Sequence, residues 1–366
     1  MEGRLRSWKG LVVAAGRTLE SWFDRLRFGL KRRMGWIAPI EILPYRGHGT
    51  RHRLFLKGRV LEAVGILPSS AVDSWRRNVR NMVRRFLSSE IPHARVRANH
   101  GGHELEVVAD EEGFFDLRFD LEEPLQDSTS WHPVEIELLW PRTGEVGVRA
   151  RGSVLVPARA RFGVISDLDD TVLRSSVTDV LRMARMVLLS NAHTRLPFEG
   201  VSDFYRALQR GLSGEDFNPI FYVSSSPWNL YDMLEDFLDV HGVPAGPLFL
   251  KDWSPTTLRD HDRHKLSVIR TLLATYTNLP FVLIGDSGER DPEIYRQVVH
   301  EHPGRVRAIY IRDVTTSERD AAVHAIADEL KSVGVEMLLT TDTVVAAEHA
   351  VDKGLISPDA LSALRE

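Results

Sequence analysis

The sequence predicts an α/β protein: an antiparallel β-sandwich-like domain followed by an open parallel sheet whose strands are joined by helices. Three observations predict it. From about residue 40 to 157, apolar residues alternate with charged ones at period two, and Gly or Pro clusters separate the runs. Beyond residue 161, apolar runs end abruptly in polar chemistry, with stretches of helical spacing between them. The 366 residues and 43% hydrophobic content suffice for two domains with buried cores.

Residues 1–38 read as a basic amphipathic helical segment. Leu5, Trp8, Val12, Ala15, Leu19, Trp22 and Leu26 form one apolar stripe, and Arg4, Arg6, Lys9, Arg17, Arg25, Arg27, Lys31, Arg32 and Arg33 outnumber Glu2, Glu20 and Asp24. Such a helix has two readings. It can lie in an anionic membrane interface, or its stripe can dock on the neighbouring domain while the charges are solvated.

Residues 39–157 form the expected antiparallel domain. Leu105 and Val107, then Phe115, Leu117 and Phe119, then Val134, Ile136, Leu138 and Trp140 mark its strands. One helix, about Ser70 to Leu87, interrupts them; Trp75, Val79, Met82, Val83 and Phe86 form its apolar face, and an arginine row covers the other, read as a solvated surface with a basic patch for acidic lipid headgroups as the alternative.

The third unit spans residues 158–366. Its first strand, in FGVISDLDDTVL, stops on Asp167 and Asp169, two carboxylates spaced i, i+2 at a sheet edge. A calcium loop is excluded, because Val172 stands where the turn glycine belongs and Thr178 where the bidentate glutamate belongs. A helical insert, residues 174–218, follows and carries Val180, Leu181, Met183, Met186 and Leu189; it reads as core packing, with an acyl-adapting surface as the alternative. A second strand, Pro219 to Val223, ends in Ser224, Ser225 and Ser226. Lys265 opens a helix in which Leu266, Ile269, Leu272 and Leu273 recur at helical spacing. A third strand, Pro280 to Gly285, ends in Asp286, with Asp291 five residues on and Pro292 suited to the first turn of the next helix. A further strand, about Val306 to Ile311, ends in Arg312, a candidate phosphate contact. Residues 317–366 add a helix, a short strand and another helix, without assignable chemistry.

Right-handed crossovers bring the C-terminal ends of parallel strands to one crevice, so these residues are expected to meet. The set suits phosphoryl transfer, in which a nucleophile attacks phosphorus while cations offset the charge on the equatorial oxygens. Asp167 is then the nucleophile. Asp169 handles the proton, Ser224 donates to a phosphate oxygen with Ser225 as its competitor, and Lys265 offsets the crowded carboxylates. Asp167, the carbonyl of Asp169 and Asp286 form a partial shell for Mg2+, steadied by Asp291. His264 is the one histidine worth testing; His193, His241 and His261 show no metal-ligand spacing.

The combination of DLDDT, a strand-terminal serine, a lysine and GDSGERD resembles the haloacid dehalogenase superfamily. More narrowly, ISDLDDTV, YVSSSPW, HK before an apolar helix, IGDSGERDPEIY and IYIRDV resemble the actin-patch-type, Mg2+-dependent phosphatidate phosphatases, over roughly residues 150–315. The resemblance implies a haloacid-dehalogenase-like (Rossmannoid) sheet with a cap insert, and hydrolysis of phosphatidate to diacylglycerol through an aspartyl-phosphate. Two rivals stand beside it: a phosphatase of a soluble phosphate ester, and a non-catalytic lipid or protein adaptor.

Composition narrows the setting. The chain has no cysteine, which excludes disulfides, thiolate zinc sites and a cysteine nucleophile. No apolar run reaches transmembrane length and GLVVAAG is short for a signal-peptide core, so a cytoplasmic protein is expected, with peripheral membrane binding under the first reading of residues 1–38. No nucleic-acid motif accompanies the basic stretch, so no nucleic-acid partner is expected.

Overall fold

The computed structural model describes residues 39–63, 90–126, 129–142, 147–168, 200–251, 261–314 and 317–365. The basic segment 1–38, the helix expected at 70–87 and most of the insert, with Asp169, therefore lie outside the described residues.

Eight strands build the first sheet: β1 (Ile40–Pro44), β2 (Gly47–Gly49), β3 (Arg53–Glu62), β4 (Arg95–His100), β5 (His103–Val108), β6 (Phe114–Asp120), β7 (Trp131–Trp140) and β8 (Arg149–Leu155). They run β1-β3-β2-β8-β7-β4-β5, with β6 paired to β3. Every pairing but one is antiparallel. The exception is β2, which lies parallel to β8, with Gly47 opposite Val154. The period-two pattern becomes an inner face: Leu54 and Leu56 of β3, Phe115, Leu117 and Phe119 of β6, Val96 and Ala98 of β4, and Val134, Ile136 and Leu138 of β7 share one core. The sheet curls around that core. Leu56 and Ile136 both meet over Gly152, where a Cβ would lie 2.5 Å from the Leu56 side chain. Leu105 and Val107 are only half-buried because β5 is an edge strand.

The second sheet contains β9 (Gly163–Asp167), β10 (Ile220–Pro227), β11 (Leu248–Lys251), β12 (Phe281–Asp286), β13 (Val306–Arg312) and β14 (Glu336–Thr340). All of its pairings are parallel, and the order is β11-β10-β9-β12-β13-β14. The chain therefore reverses direction across the sheet between β9 and β12, the switch point at which an open α/β sheet forms its crevice. Helices α1 (Val201–Arg210), α2 (Tyr231–Val240), α3 (His261–Thr275), α4 (Asp291–Glu301), α5 (Ser317–Ser332), α6 (Thr343–Asp352) and α7 (Pro358–Arg365) complete the described unit. One face packs Phe204, Tyr205 and Leu208 of α1 against Tyr222, Val164 and Tyr310. The other packs Ile269, Leu272 and Leu273 of α3 with Val298 of α4 and Val323 of α5 against Phe221, Ile165 and Phe281.

In the described part of the insert, residues 201–210 form a helix on the sheet face, where Phe204 sits edge-on to Tyr310 at 5.5 Å and Tyr205 stacks on Tyr222 at 6.3 Å. The short edge strand β11 has no counterpart in the sequence reading, since four residues show too little pattern. No helix among the described residues is long and apolar enough to cross a membrane.

The two sheets share a packed junction. Tyr45, which follows β1, stacks on Trp228 at 4.7 Å and tilts against Tyr231 at 4.2 Å, and its ring is buried in the core of the parallel-sheet unit. Arg46 donates its backbone N–H to the Tyr231 hydroxyl at 2.7 Å and pairs with Glu235 at 2.9 Å. His48 lies among Phe55, Phe249 and Tyr276, and burial lowers it to about 4, so it is neutral at pH 7. Arg59 reaches across to the Asn229 side chain. Removing the central ring tests the junction: Tyr45→Ala should destabilise the protein by roughly 3–5 kcal/mol and lower Tm by roughly 5 °C in calorimetry. An unchanged Tm would show that the two sheets are energetically independent.

Candidate active site

Asp167 and Asp286 end strands β9 and β12, Ser224 lies on β10 just past its last pairing with β9, and the register explains why they meet. Val223 is opposite Asp167 and Ile284 is opposite Ser166, so Ser224 stands one residue and Asp286 two residues beyond a residue paired near the end of β9. Asp167, Ser224, Asp286 and Asp291 are each at most 1% exposed. Ser166, pointing to the other face, ties β9 down by donating to the Asp167 carbonyl at 2.8 Å and sharing a 2.6 Å hydrogen bond with the Tyr205 hydroxyl.

Lys265 reaches the same place from α3. It lies on the buried stripe of that helix, four, seven and eight residues before Ile269, Leu272 and Leu273, so packing that stripe on the sheet drives the lysine inward. A crossover helix starts at the C-terminal edge of the sheet, which puts its early residues beside the crevice. The Lys265 ammonium contacts Asp167 Oδ1 at 2.8 Å, Glu289 Oε2 at 2.9 Å and Asp291 Oδ1.

The loop between β12 and α4 folds back over its own strand end. Asp286 Oδ1 accepts from the Glu289 N–H at 2.8 Å, and Asp291 Oδ2 accepts from the Asp286 N–H at 3.1 Å. Gly285 permits the second contact, since a Cβ there would lie 2.1 Å from Asp291 Oδ2. Carboxylate oxygens of Asp167, Asp286, Glu289 and Asp291 lie within 4.8 Å of one another. Four carboxylates thus face one ammonium. Burial alone would lower Lys265, but the charges of Asp167, Asp291 and Glu289 hold it well above the ordinary lysine value, so it stays charged. Burial pushes the Asp291 carboxyl up to about 7; Asp286 and Glu289 add to the rise, and Lys265 opposes it. An oxygen-only, over-acidic donor set of this kind fits a hard divalent cation.

A cleft of about 190 Å³ opens on this cluster, lined by Val223, Ser224, Ser225, His264, Lys265, Glu289, Arg290 and Ile294. Ser224 and Ser225 both line it. Ser224 Oγ is fully buried and accepts from the Ser226 N–H at 3.0 Å, whereas Ser225 is half-buried. His264 also lines the cleft, while His241 packs on Phe237 at 4.2 Å. Asp169 lies outside the described residues. Arg312 is not among the residues lining the cleft; its carbonyl accepts from the Ser287 N–H at 2.8 Å. Glu289 joins the cluster although it follows no strand end directly. The available signal was its position three residues after Asp286, the spacing at which a strand-end carboxylate caps the next turn.

Comparison with known proteins adds to the geometry. Residues 162–313 match the family model described as phosphatidate phosphatase APP1, catalytic domain, which bears out the resemblance carried by the motifs. Over 168 residues the chain is 34% identical to phosphatidate phosphatase APP1 of Saccharomyces cerevisiae, covering 44% of this chain and 28% of that protein. Over 255 residues it is 28% identical to an uncharacterized protein of Schizosaccharomyces pombe, covering 63% of this chain and 39% of that one. The chain therefore spans well under half the length of these curated relatives. Among solved structures, a carbohydrate acetylesterase from Xanthomonas citri aligns at 12% identity with a TM-score of 0.29, over 81% of this chain and 66% of that one, a likeness too low to bear on the fold.

The raised Asp291 value has a consequence for cation binding. A cation favours the ionised carboxylate, so below about pH 7 binding must displace a proton and weakens as pH falls. Calorimetric titration with Mg2+ should give an affinity roughly tenfold higher at pH 8 than at pH 6, and Asp291→Asn should flatten that dependence. The metal-free protein follows the opposite sign. Its folded state binds the proton more tightly than the unfolded chain, so this group's contribution to stability falls as pH rises from about 4 to 7, and added cation restores it.

Proposed function

We propose that the protein is a Mg2+-dependent phosphatase of haloacid-dehalogenase-like (Rossmannoid) fold that hydrolyses phosphatidate to diacylglycerol and phosphate. The meeting of Asp167, Lys265, Asp286, Glu289 and Asp291 at the ends of parallel strands, within the matched segment, carries the proposal.

Asp167, Asp286, Glu289 and Asp291, with the carbonyl of Asp169, would hold the cation, which when bound offsets negative charge on the phosphoryl oxygens. Asp167 attacks phosphorus through a carboxylate oxygen as the bond from phosphorus to the ester oxygen breaks, and Asp169 gives its proton to the leaving alkoxide. In the second step Asp169 takes a proton from water, the water oxygen bonds to phosphorus, and the aspartyl-phosphate bond breaks to release phosphate. Lys265 holds Asp167 in place through its 2.8 Å contact. Ser224 and Ser225 supply small donors for the phosphate oxygens at the cleft wall. The division into a basic segment 1–38, a β domain 39–157 and a catalytic unit 158–366 belongs to the same reading, as does a cytoplasmic setting with phosphatidate taken from an anionic membrane through residues 1–35.

Two experiments test this. Asp167→Asn should reduce phosphate release from phosphatidate by several orders of magnitude at saturating Mg2+, because an amide does not attack phosphorus; near wild-type turnover would sink the covalent mechanism. Comparing phosphatidate vesicles with soluble phosphate esters separates the lipid substrate from its soluble rival. Deleting residues 1–35 should weaken binding to anionic vesicles, since each basic residue near such a surface contributes about 1 kcal/mol, while turnover of a soluble ester changes little. Normal vesicle binding by the truncated protein with a lower Tm would instead assign the stripe to docking.

A further inference from the structure

We propose that Arg319, which lies outside the matched segment, is a positioning residue that clamps the loop carrying Asp286, Glu289 and Asp291 and thereby sets the affinity of the site for its divalent cation. The inference deepens the proposed reading of the acidic cluster as a cation site. Arg319 stands in the first turn of α5, and its guanidinium spans the loop on several bonds at once. Its Nε donates to the Ser287 carbonyl at 3.1 Å and its Nη2 to the Glu289 carbonyl at 2.9 Å. The fork closes on Glu293, in the first turn of α4, with Nη1 to Oε1 at 2.6 Å and Nη2 to Oε2 at 2.9 Å.

This pattern is built to hold backbone. The loop of residues 287–290 connects the end of β12 to the start of α4, so its conformation decides where three of the four carboxylates converge. Two of its carbonyls are tied to Arg319, and its other side is tied to β13: the Ser287 N–H donates to the Arg312 carbonyl, and Ser287 Oγ accepts from the Val314 N–H at 3.0 Å. The clamp itself sits on a rigid base, since Val323, Ile326 and Leu330 of α5 are buried in the same core as Val298, Val299 and Ile309. A planar guanidinium has enough donors in a fixed fork for this task, which a lysine cannot reproduce.

Charge and position predict opposite outcomes, which makes the role testable. Arg319 is a cation whose charge is felt at Asp286, so by electrostatics alone its loss would tighten cation binding. If it acts by holding the loop, its loss weakens binding, by the 10- to 100-fold typical of residues that orient metal ligands. The full chain is titrated calorimetrically with Mn2+ as wild type, Arg319→Met and Arg319→Lys, with amide hydrogen exchange followed over residues 285–293. Arg319→Met should weaken Mn2+ binding 10- to 100-fold, and Arg319→Lys, which keeps the charge but loses the fork, by a smaller factor. Exchange should quicken in the loop and stay unchanged in β9, and phosphate release at saturating cation should recover most of its wild-type kcat. Equal or tighter binding by Arg319→Met overturns the clamp; should that variant fail to fold, wild-type binding by Arg319→Lys overturns it. The titration is independent of phosphatidate. A wild type that binds Mn2+ but releases no phosphate defeats the proposed activity while weaker binding in the variants still upholds the clamp, and a wild type that binds no Mn2+ overturns it.

Discussion

One buried ammonium shared among carboxylates governs the arrangement of the site. Lys265 sits between Asp167, Glu289 and Asp291, with Asp286 close behind, in a place that water barely reaches. Removing charges from water is costly, and one cation cannot repay it for four acids, so this cluster is a poor device for stability. It persists because strong packing elsewhere holds it. The stripe of α3 drives Lys265 inward, β9 and β12 are buried along their whole length, and the loop after β12 is tied on both sides. The structure thus stores an excess of negative charge at one edge of a sheet, a chemistry complementary to a hard divalent cation.

The first sheet contributes to that edge from outside the matched segment. Strand β10 continues through Ser224, Ser225 and Ser226 into Pro227, and the chain turns at Trp228, Asn229 and Leu230. Those turning residues are the ones held by the β domain: Trp228 by the Tyr45 ring and the Lys57 ammonium, and Asn229 by Arg59. Arg59 is itself anchored by the Glu112 carbonyl at 2.9 Å, by Glu90 at 3.0 Å and by the face of Phe114. Support for the serines therefore comes partly from a different sheet. Together with Arg319 on the C-terminal side, this means that residues before 162 and after 313 hold the loops on which the site depends.

How far the sequence could be read follows from how local each signal is. Asp167, Ser224, Asp286 and Asp291 were legible because each follows an apolar strand, and the end of a parallel strand is a fixed address in the fold. Lys265 was legible for a related reason, as a cation preceding a helical stripe. The β domain was legible by period, yet the parallel pairing of β2 with β8 was not, because three residues cannot specify a partner. The segment 201–210 has an apolar face, and only its contacts with Tyr222 and Tyr310 show where that face lies.

The sequence by itself determined which chemical groups end which strands, and hence the character of the site: acids, hydroxyls and one lysine, with no thiol available. Those properties are written in residue identity and in periodicities of two and 3.6, which are local. Tertiary structure alone decided which groups touch. Glu289 joins the acids because Asp286 caps its N–H, and Arg319 reaches the Ser287 and Glu289 carbonyls across 32 and 30 residues. Tyr45 meets Trp228 across two sheets. Such contacts depend on register, crossover and packing angle, and no spacing within one element encodes them.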